Sequence, residues 1–175
     1  METSDDLYLT AQAAAGDDAA FNVLFHRHAP SLAKWCAAKL KDPALIEDII
    51  QETFFALWRQ APTLREGSIK AWLFTVARNK LIDALRKQQP LVTDDQLQQV
   101  GCSEEPWQHP FLEQELAKLP SSQRDVFLLT FICGLSYREI SQIMDIPVGT
   151  VKSRMYHCRR VLQQAWKRGD HYAGL

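Results

Sequence analysis

Three groups of side chains in this chain of 175 residues are spaced to do chemistry. Asp48, Gln51, Glu52 and Phe55 fall at i, i+3, i+4 and i+7, which is one stripe of a helix. Two carboxylates, an amide and an aromatic ring on one stripe suit docking onto a basic helical partner; a solvated acidic face is the plainer alternative. Asn79, Asp83 and Arg86 form a second stripe, at i, i+4 and i+7. Asn and Asp lower helix propensity inside a helix, which points to a contact made by those side chains, with an internal Asp83–Arg86 pair as the alternative. The third group is Gly149-Thr150-Val151-Lys152-Ser153-Arg154, with His157 one turn on. A helix that starts this way attracts phosphate at its N-terminus. Its Lys152, Ser153, Arg154 and His157 suit a DNA major groove, where arginine reads guanine.

Catalytic chemistry is poorly served. No nucleophile has an adjacent base, and no Gly-rich phosphate loop is present. Glu47, Asp48 and Glu52 would be the metal or acid–base set of a helical enzyme, but that set lacks a His ligand nearby. No catalytic residue, metal or cofactor is expected. His26-Arg27-His28 reads as a surface or kink feature. The cysteines, Cys36, Cys102, Cys133 and Cys158, are far apart with no Cys-x-x-Cys, which fits a reducing cytoplasm. An oxidant- or metal-sensing role for Cys102 or Cys158 is the less favoured reading, because an unpaired thiol is usually inert. No apolar run reaches the roughly 18–20 residues of a membrane span, and the acidic start is not a signal peptide. A cytoplasmic protein without membrane insertion is expected.

Helices must position these groups. Apolar residues recur at three- and four-residue spacing along the chain. Phe21 to Leu40 makes one stripe, which Pro30 should kink or split. Asp42 and Pro43 start the next helix as N-cap and first turn, with Leu45, Ile46, Ile49, Ile50, Phe54, Leu57 and Trp58 on its buried side. Residues 61–67 read as a loop. Ser68 caps a helix that carries Ile69, Trp72, Leu73, Val76 and Ala77 and must stop near Pro90. Trp35, Trp58, Trp72 and Phe74 could stack on unpaired bases, though core packing is the better reading of Trp72. Residues 90–111 hold four prolines or glycines and four acids with no Lys or Arg, which describes an extended acidic linker with room for a short helix at 96–99. Beyond it, Phe111 to Leu119 is helical, and Ser121 or Ser122 caps a further helix that Gly134 ends as a left-handed cap. Ser136-Tyr137-Arg138-Glu139 is a capping box. Its helix ends near Met144, Asp145 takes a left-handed turn position, and a long helix runs from Val148 to about Arg168. Ile140, Met144, Ile146 and Val151 are spaced to pack those last two helices together, with Ser141 small at their approach. The fold class is all-α: two small helical domains, 1–89 and 112–175, joined by a flexible acidic linker, 90–111. The second domain is a helix-turn-helix.

The formal net charge of -1 hides this division. Eleven basic and eleven acidic residues cancel in 1–89, the linker carries -4, and 112–175 carries +3. Residues 146–168 hold six Lys or Arg and no acid, and residues 78–87 hold four against Asp83. Positive charge confined to two helices is a footprint of phosphate binding.

Both constellations, in this order, resemble the bacterial extracytoplasmic-function (ECF) sigma factors over about residues 15–165. The motifs are Asp48-Ile49-Ile50-Gln51-Glu52-Thr53-Phe54, Ala71 to Asn79 with Asp83–Arg86, Leu119-Pro120, Gln123-Arg124, Leu135 to Ile140 and Gly149 to Arg154. The resemblance implies a subunit that gives core RNA polymerase its promoter specificity. Asp48, Gln51, Glu52 and Phe55 would dock on the clamp helices of the large subunit, and the flap would be a further contact. The loop 61–68, with Arg65 and Ser68, would capture a flipped base of the minus-10 element, and Asn79, Lys80, Asp83 and Arg86 would contact the adjacent strands. Arg138, Gly149, Thr150, Lys152, Ser153, Arg154, His157 and Arg159 would read the minus-35 element. The linker would run toward the RNA path. An anti-sigma factor, often membrane-bound in this family, would hold the protein inactive until stress releases it. Arg138 and His157-Cys158 depart from the family pattern and bear on base preference. The competing function is a freestanding helix-turn-helix regulator that never binds polymerase, which leaves the first two stripes without work.

Overall fold

The structure is a computed structural model that describes residues 2–64, 66–88 and 110–168, and the described residues are helical with short turns. The elements are α1 (Glu2–Ala14), α2 (Asp18–Ala37), α3 (Pro43–Gln60), a 3-10 turn (Ala61–Thr63), α4 (Ile69–Gln88), α5 (Pro110–Ala117), α6 (Ser121–Phe131), α7 (Tyr137–Met144) and α8 (Val148–Arg168). Arg65, Cys102, the expected short helix at 96–99 and nearly all of the expected linker 90–111 lie outside the described residues; Pro110 and Phe111 already belong to α5.

Local chemistry accounts for most boundaries. Asp17 and Asp42 accept backbone N–H groups at the starts of α2 and α3, and Pro43 opens α3 where its missing N–H costs nothing. Ser68 Oγ accepts the Ala71 N–H at 3.1 Å. At α7 the capping box is complete: Ser136 accepts the Glu139 N–H, and the Glu139 carboxylate accepts the Ser136 N–H at 2.8 Å. Ser136→Ala should therefore cost about 1 kcal/mol, read as a lower denaturant midpoint at unchanged m-value.

Three expectations are corrected. Pro30 does not split its helix; α2 runs unbroken from Asp18 to Ala37, because one lost ladder bond is offset by a buried face of Leu24, His28, Leu32, Trp35 and Cys36. Neither Ser121 nor Ser122 caps α6; Pro120 holds that position with no side-chain bond. Arg124 bridges the same corner instead, donating to the carbonyls of Leu116, Ala117 and Leu119 at the end of the preceding helix. Trp58 is not buried: it is 57% exposed at the end of α3.

The core sits where α2, α3 and α4 meet, around Leu24, Leu32, Leu57, Leu73 and Phe74. It continues through Leu116, Val126, Leu129, Ile140, Ile143, Val151 and Met155 in the last four helices. Trp35 and Phe74 meet edge to face inside it, 5.9 Å apart. Neither ring is therefore available to stack on a base.

Candidate functional site

The α3 stripe is presented outward. Ile49, Ile50, Thr53, Phe54, Ala56 and Leu57 are buried, while Asp48, Gln51, Glu52 and Phe55 are exposed. Helical periodicity does this directly, since the apolar positions take the core side. Gln51 donates to Glu47 at 3.1 Å, and Lys80 of α4 donates to Glu52 at 2.5 Å. The lysine holds the Glu52 carboxyl below the usual range through that hydrogen bond and its charge. Two residues outside the expected stripe extend it. Phe55 and Trp58 pack edge to face at 6.1 Å with both rings more than half exposed, and the Arg59 guanidinium lies 5.0 Å from the Phe55 ring. Exposed, mutually ordered aromatics beside acids form a patch that water does not favour. A sharper signal was available in the sequence: Trp58 follows Phe55 by three residues and so shares its face.

The loop after α3 backs onto a cavity of about 230 Å³ lined by Leu64, Gly67, Ser68, Trp72 and Thr75, with Gln142 of α7 in its wall. Gly67 reaches φ +88°, a backbone that other residues adopt at a cost. Trp72 is half-buried and packs against the core as expected, yet it also edges this cavity. Further along α4, Asn79, Asp83 and Arg86 are all exposed. Lys80 is half-buried, and its ammonium is held by Glu52. Sequence spacing alone could not reveal that Glu52 of α3 and Lys80 of α4 are partners.

The helix-turn-helix is formed by α7 and α8. Asp145 takes the left-handed conformation, φ 53° and ψ 50°, which aspartate tolerates better than most residues. Ser141 donates its hydroxyl to the Ile146 carbonyl at 2.5 Å, which ties the turn to α7. Ile140, Ile143, Val151, Met155 and Cys158 bury the shared face. That leaves Gly149, Lys152, Ser153, His157, Arg159 and Arg160 exposed on α8, with Thr150 and Arg154 half-buried. Ser153 donates to the Thr150 carbonyl at 3.3 Å, and the Arg159 guanidinium stands 6.0 Å from the Phe131 ring. Arg138 is exposed on α7. A Cβ at Gly149 would meet nothing within 4 Å, so the protein's own packing does not demand glycine there.

The sensing idea for Cys158 is overturned. Its side chain is fully buried, and desolvation pushes the thiol up to about 11. Cys36 and Cys133 are buried and pushed up to about 12. Reactive thiols need the opposite surroundings. The expectation for His26-Arg27-His28 is also corrected in part. His28 is buried, with Nε2 2.8 Å from an Asp6 carboxylate oxygen, and Arg27 binds Asp5 and Asp6. Burial lowers the affinity of His28 for a proton below the ordinary histidine value, against the pull of Asp6. Among the described residues no three His, Cys, Asp or Glu side chains converge as a metal site, and no helix is long and apolar enough to cross a membrane.

Comparison with known proteins places both halves of this arrangement. Residues 24–90 match the sigma-70 region 2 family, and residues 112–162 match sigma-70 region 4. The chain is 32% identical to the ECF RNA polymerase sigma factor SigM of Bacillus subtilis over 137 residues, 74% of this chain and 84% of that protein. Among solved structures it is similar to CnrH in complex with the cytosolic domain of CnrY, with a TM-score of 0.66 at 27% identity, covering 94% of this chain and 98% of that one. It is also similar to the sigma factor RpoE from Bartonella quintana in complex with the anti-sigma factor NepR, with a TM-score of 0.62 at 26% identity, covering 84% and 96%. With an outward acidic and aromatic stripe on one helical group and a basic helix on the other, the chain belongs to the ECF RNA polymerase sigma factor family, non-enzymatic subunits of transcription initiation, and carries sigma-70 regions 2 and 4.

Proposed function

We propose that this sigma factor divides its work among the faces described above, within a region 2 domain over 1–89, an acidic linker over 90–111 and a region 4 domain over 112–175. Asp48, Gln51, Glu52 and Phe55, extended by Trp58 and Arg59, dock core polymerase at its clamp helices. The loop with Arg65 and Ser68, and the cavity behind it, hold an unpaired minus-10 base, with Trp72 as the ring beside it. Asn79, Lys80, Asp83 and Arg86 contact the adjacent strands. Arg138, Gly149, Thr150, Lys152, Ser153, Arg154, His157 and Arg159 contact the minus-35 duplex, and the flap holds the same domain. Two duplex elements bound through one tether gain avidity although neither contact is tight alone.

The observation that carries this assignment is the outward α3 stripe. A repressor that acts alone has no use for two acids and two exposed aromatic rings on a helix remote from its reading helix. Transcription in vitro with core polymerase on fragmented genomic DNA tests it. Promoter-specific transcripts are expected only with the chain added, and a strong gel shift of the same promoters without polymerase would favour the freestanding regulator. Arg154→Ala should lower transcription roughly tenfold, since a guanine contact contributes ~1–3 kcal/mol, while assembly with core is unchanged. Equal transcription by the variant would remove Arg154 from the reading set. The solved relative RpoE, bound to the anti-sigma factor NepR, supports an anti-sigma factor as the regulator of this chain as well. Its site of action is the bacterial cytoplasm, where the polymerase works.

A further inference from the structure

Donors without acceptors collect in a cleft of about 100 Å³ lined by residues of α2, α4, α6 and α7. Trp35 of α2 is one of them. Its side chain is buried in the core, and its Nε1–H has no acceptor. Buried N–H groups are nearly always paired, so an orphaned one calls for a physical reason. Arg78 of α4 lines the same cleft. It is half-buried and makes no hydrogen bond or ion pair among the described residues. Lys39, just beyond α2, is a third donor. Its ammonium stands 6.0 Å from the Trp35 ring and pairs with Asp125 of α6. Asp125 balances one of the two cations, which leaves the cleft with one positive charge in excess. The rest of the wall is apolar, with Leu81 and Ile82 of α4, Leu129 of α6 and Met144 of α7.

These features specify an occupant. A half-buried guanidinium without a partner suits an anion with two coplanar oxygens, which it holds in a bidentate fork. The same oxygens supply the acceptor that the indole N–H lacks. A monoanion balances the excess charge, whereas a dianion would overcharge the cleft and a neutral molecule would leave Arg78 unpaired. Water satisfies the N–H but not the charge, and it gains nothing from the apolar walls. Those walls suit a short hydrocarbon tail. A cavity of roughly 150 Å³ takes benzene, so this smaller cleft suits a tail of about two or three carbons.

We propose that the cleft is a binding site for a small aliphatic monocarboxylate. The carboxylate sits against the Arg78 guanidinium and accepts the Trp35 N–H, and the tail lies on Ile82, Leu129 and Met144. The site uses none of the residues assigned above to polymerase or DNA contact, so it stands or falls independently of those assignments.

Butyrate is the probe, added to the full chain labelled with nitrogen-15 at tryptophan. Each indole N–H gives its own resonance, and Trp35→Phe identifies that of Trp35. Sodium butyrate, titrated against sodium chloride at constant ionic strength, should move the Trp35 resonance saturably, with a dissociation constant on the order of 1 mM. The exposed Trp58 and Trp166 should not follow it. Arg78→Leu should raise the constant at least about tenfold. Arg78→Lys should raise it less, because an ammonium keeps the charge and loses only the fork. Ile82→Phe fills the cleft, leaves every charge in place and should weaken butyrate binding similarly; it decides the matter if circular dichroism shows Arg78→Leu to be misfolded. Inorganic phosphate should bind more weakly than butyrate. A Trp35 resonance that moves equally with chloride, or with neither salt, overturns the proposal. Undiminished butyrate affinity in folded Arg78→Leu or Ile82→Phe does the same, and tighter binding of phosphate would overturn the carboxylate assignment.

Discussion

Reversing the charge at Glu52 or Asp48 is expected to abolish assembly with core polymerase while leaving the chain folded. Both side chains are exposed on α3 and contribute nothing to its core face. The Glu52–Lys80 pair is a surface ion pair of the kind whose loss is barely measurable. Stability should therefore change by less than about 0.5 kcal/mol. Binding is different, because a carboxylate desolvated against a basic helix becomes a repelled cation. The loss should be at least ~2–4 kcal/mol, roughly 30- to 1000-fold in Kd. Trp58→Ala should act in the same direction through lost apolar contact. The check is a titration of labelled core polymerase alongside a thermal melt of each variant. Unchanged affinity for Glu52→Lys would remove the docking assignment, and a collapsed melt would show that the stripe is structural.

The Glu52–Lys80 pair also shows where sequence reading stops. Helix periodicity placed Asp48, Gln51, Glu52 and Phe55 on one outward stripe because the period depends only on backbone geometry. Local motifs were equally legible: the Ser136–Glu139 box, the left-handed Asp145 and the caps at Asp42 and Ser68 are each decided within a few residues. Pairings across long sequence separation were not. Lys80 with Glu52, Glu139 with Ser68, Lys39 with Asp125 and Asp6 with His28 lie from 22 to 86 residues apart and depend on how helices dock. Glu52 and Lys80 were each read for a separate contact, and each of the other three pairs includes a residue whose local reading was bland. Glu139 was a cap and Asp6 part of an acidic start. Trp58 failed for a related reason. Its hydrophobicity argued for the core, but its position after Phe55 put it on the exposed side, and geometry outranks residue type there.

Removing the Asp6 carboxylate is expected to produce the largest loss of stability of any single polar substitution in the first two helices. Asp6 is 3% exposed and is shared by Arg27 and His28 across the α1–α2 contact. In Asp6→Ala the His28 N–H is left buried without its acceptor, and Arg27 keeps only exposed Asp5. An orphaned buried donor and a lost charged acceptor together cost ~3 kcal/mol. The wild-type chain should also be pH-sensitive, with a definite sign. His28 is surrounded by Asp6 from α1, Arg27 from its own helix and Lys70 from α4, and burial dominates, so its folded proton affinity is lowered. The unfolded chain, with histidine near 6.5, then binds the proton first. The His28 contribution is whole above about pH 6.5 and is lost progressively as pH falls below it, at up to about 1.4 kcal/mol per pH unit. Asp6 opposes the lowering, so Asp6→Ala should carry the loss to still lower pH, whereas His28→Gln should flatten the profile between about pH 7 and 5. Denaturant titrations across that range decide the matter. A wild-type chain that gained stability through His28 on acidification would mean that the imidazole is charged in the fold, with Asp6 rather than burial setting its protonation.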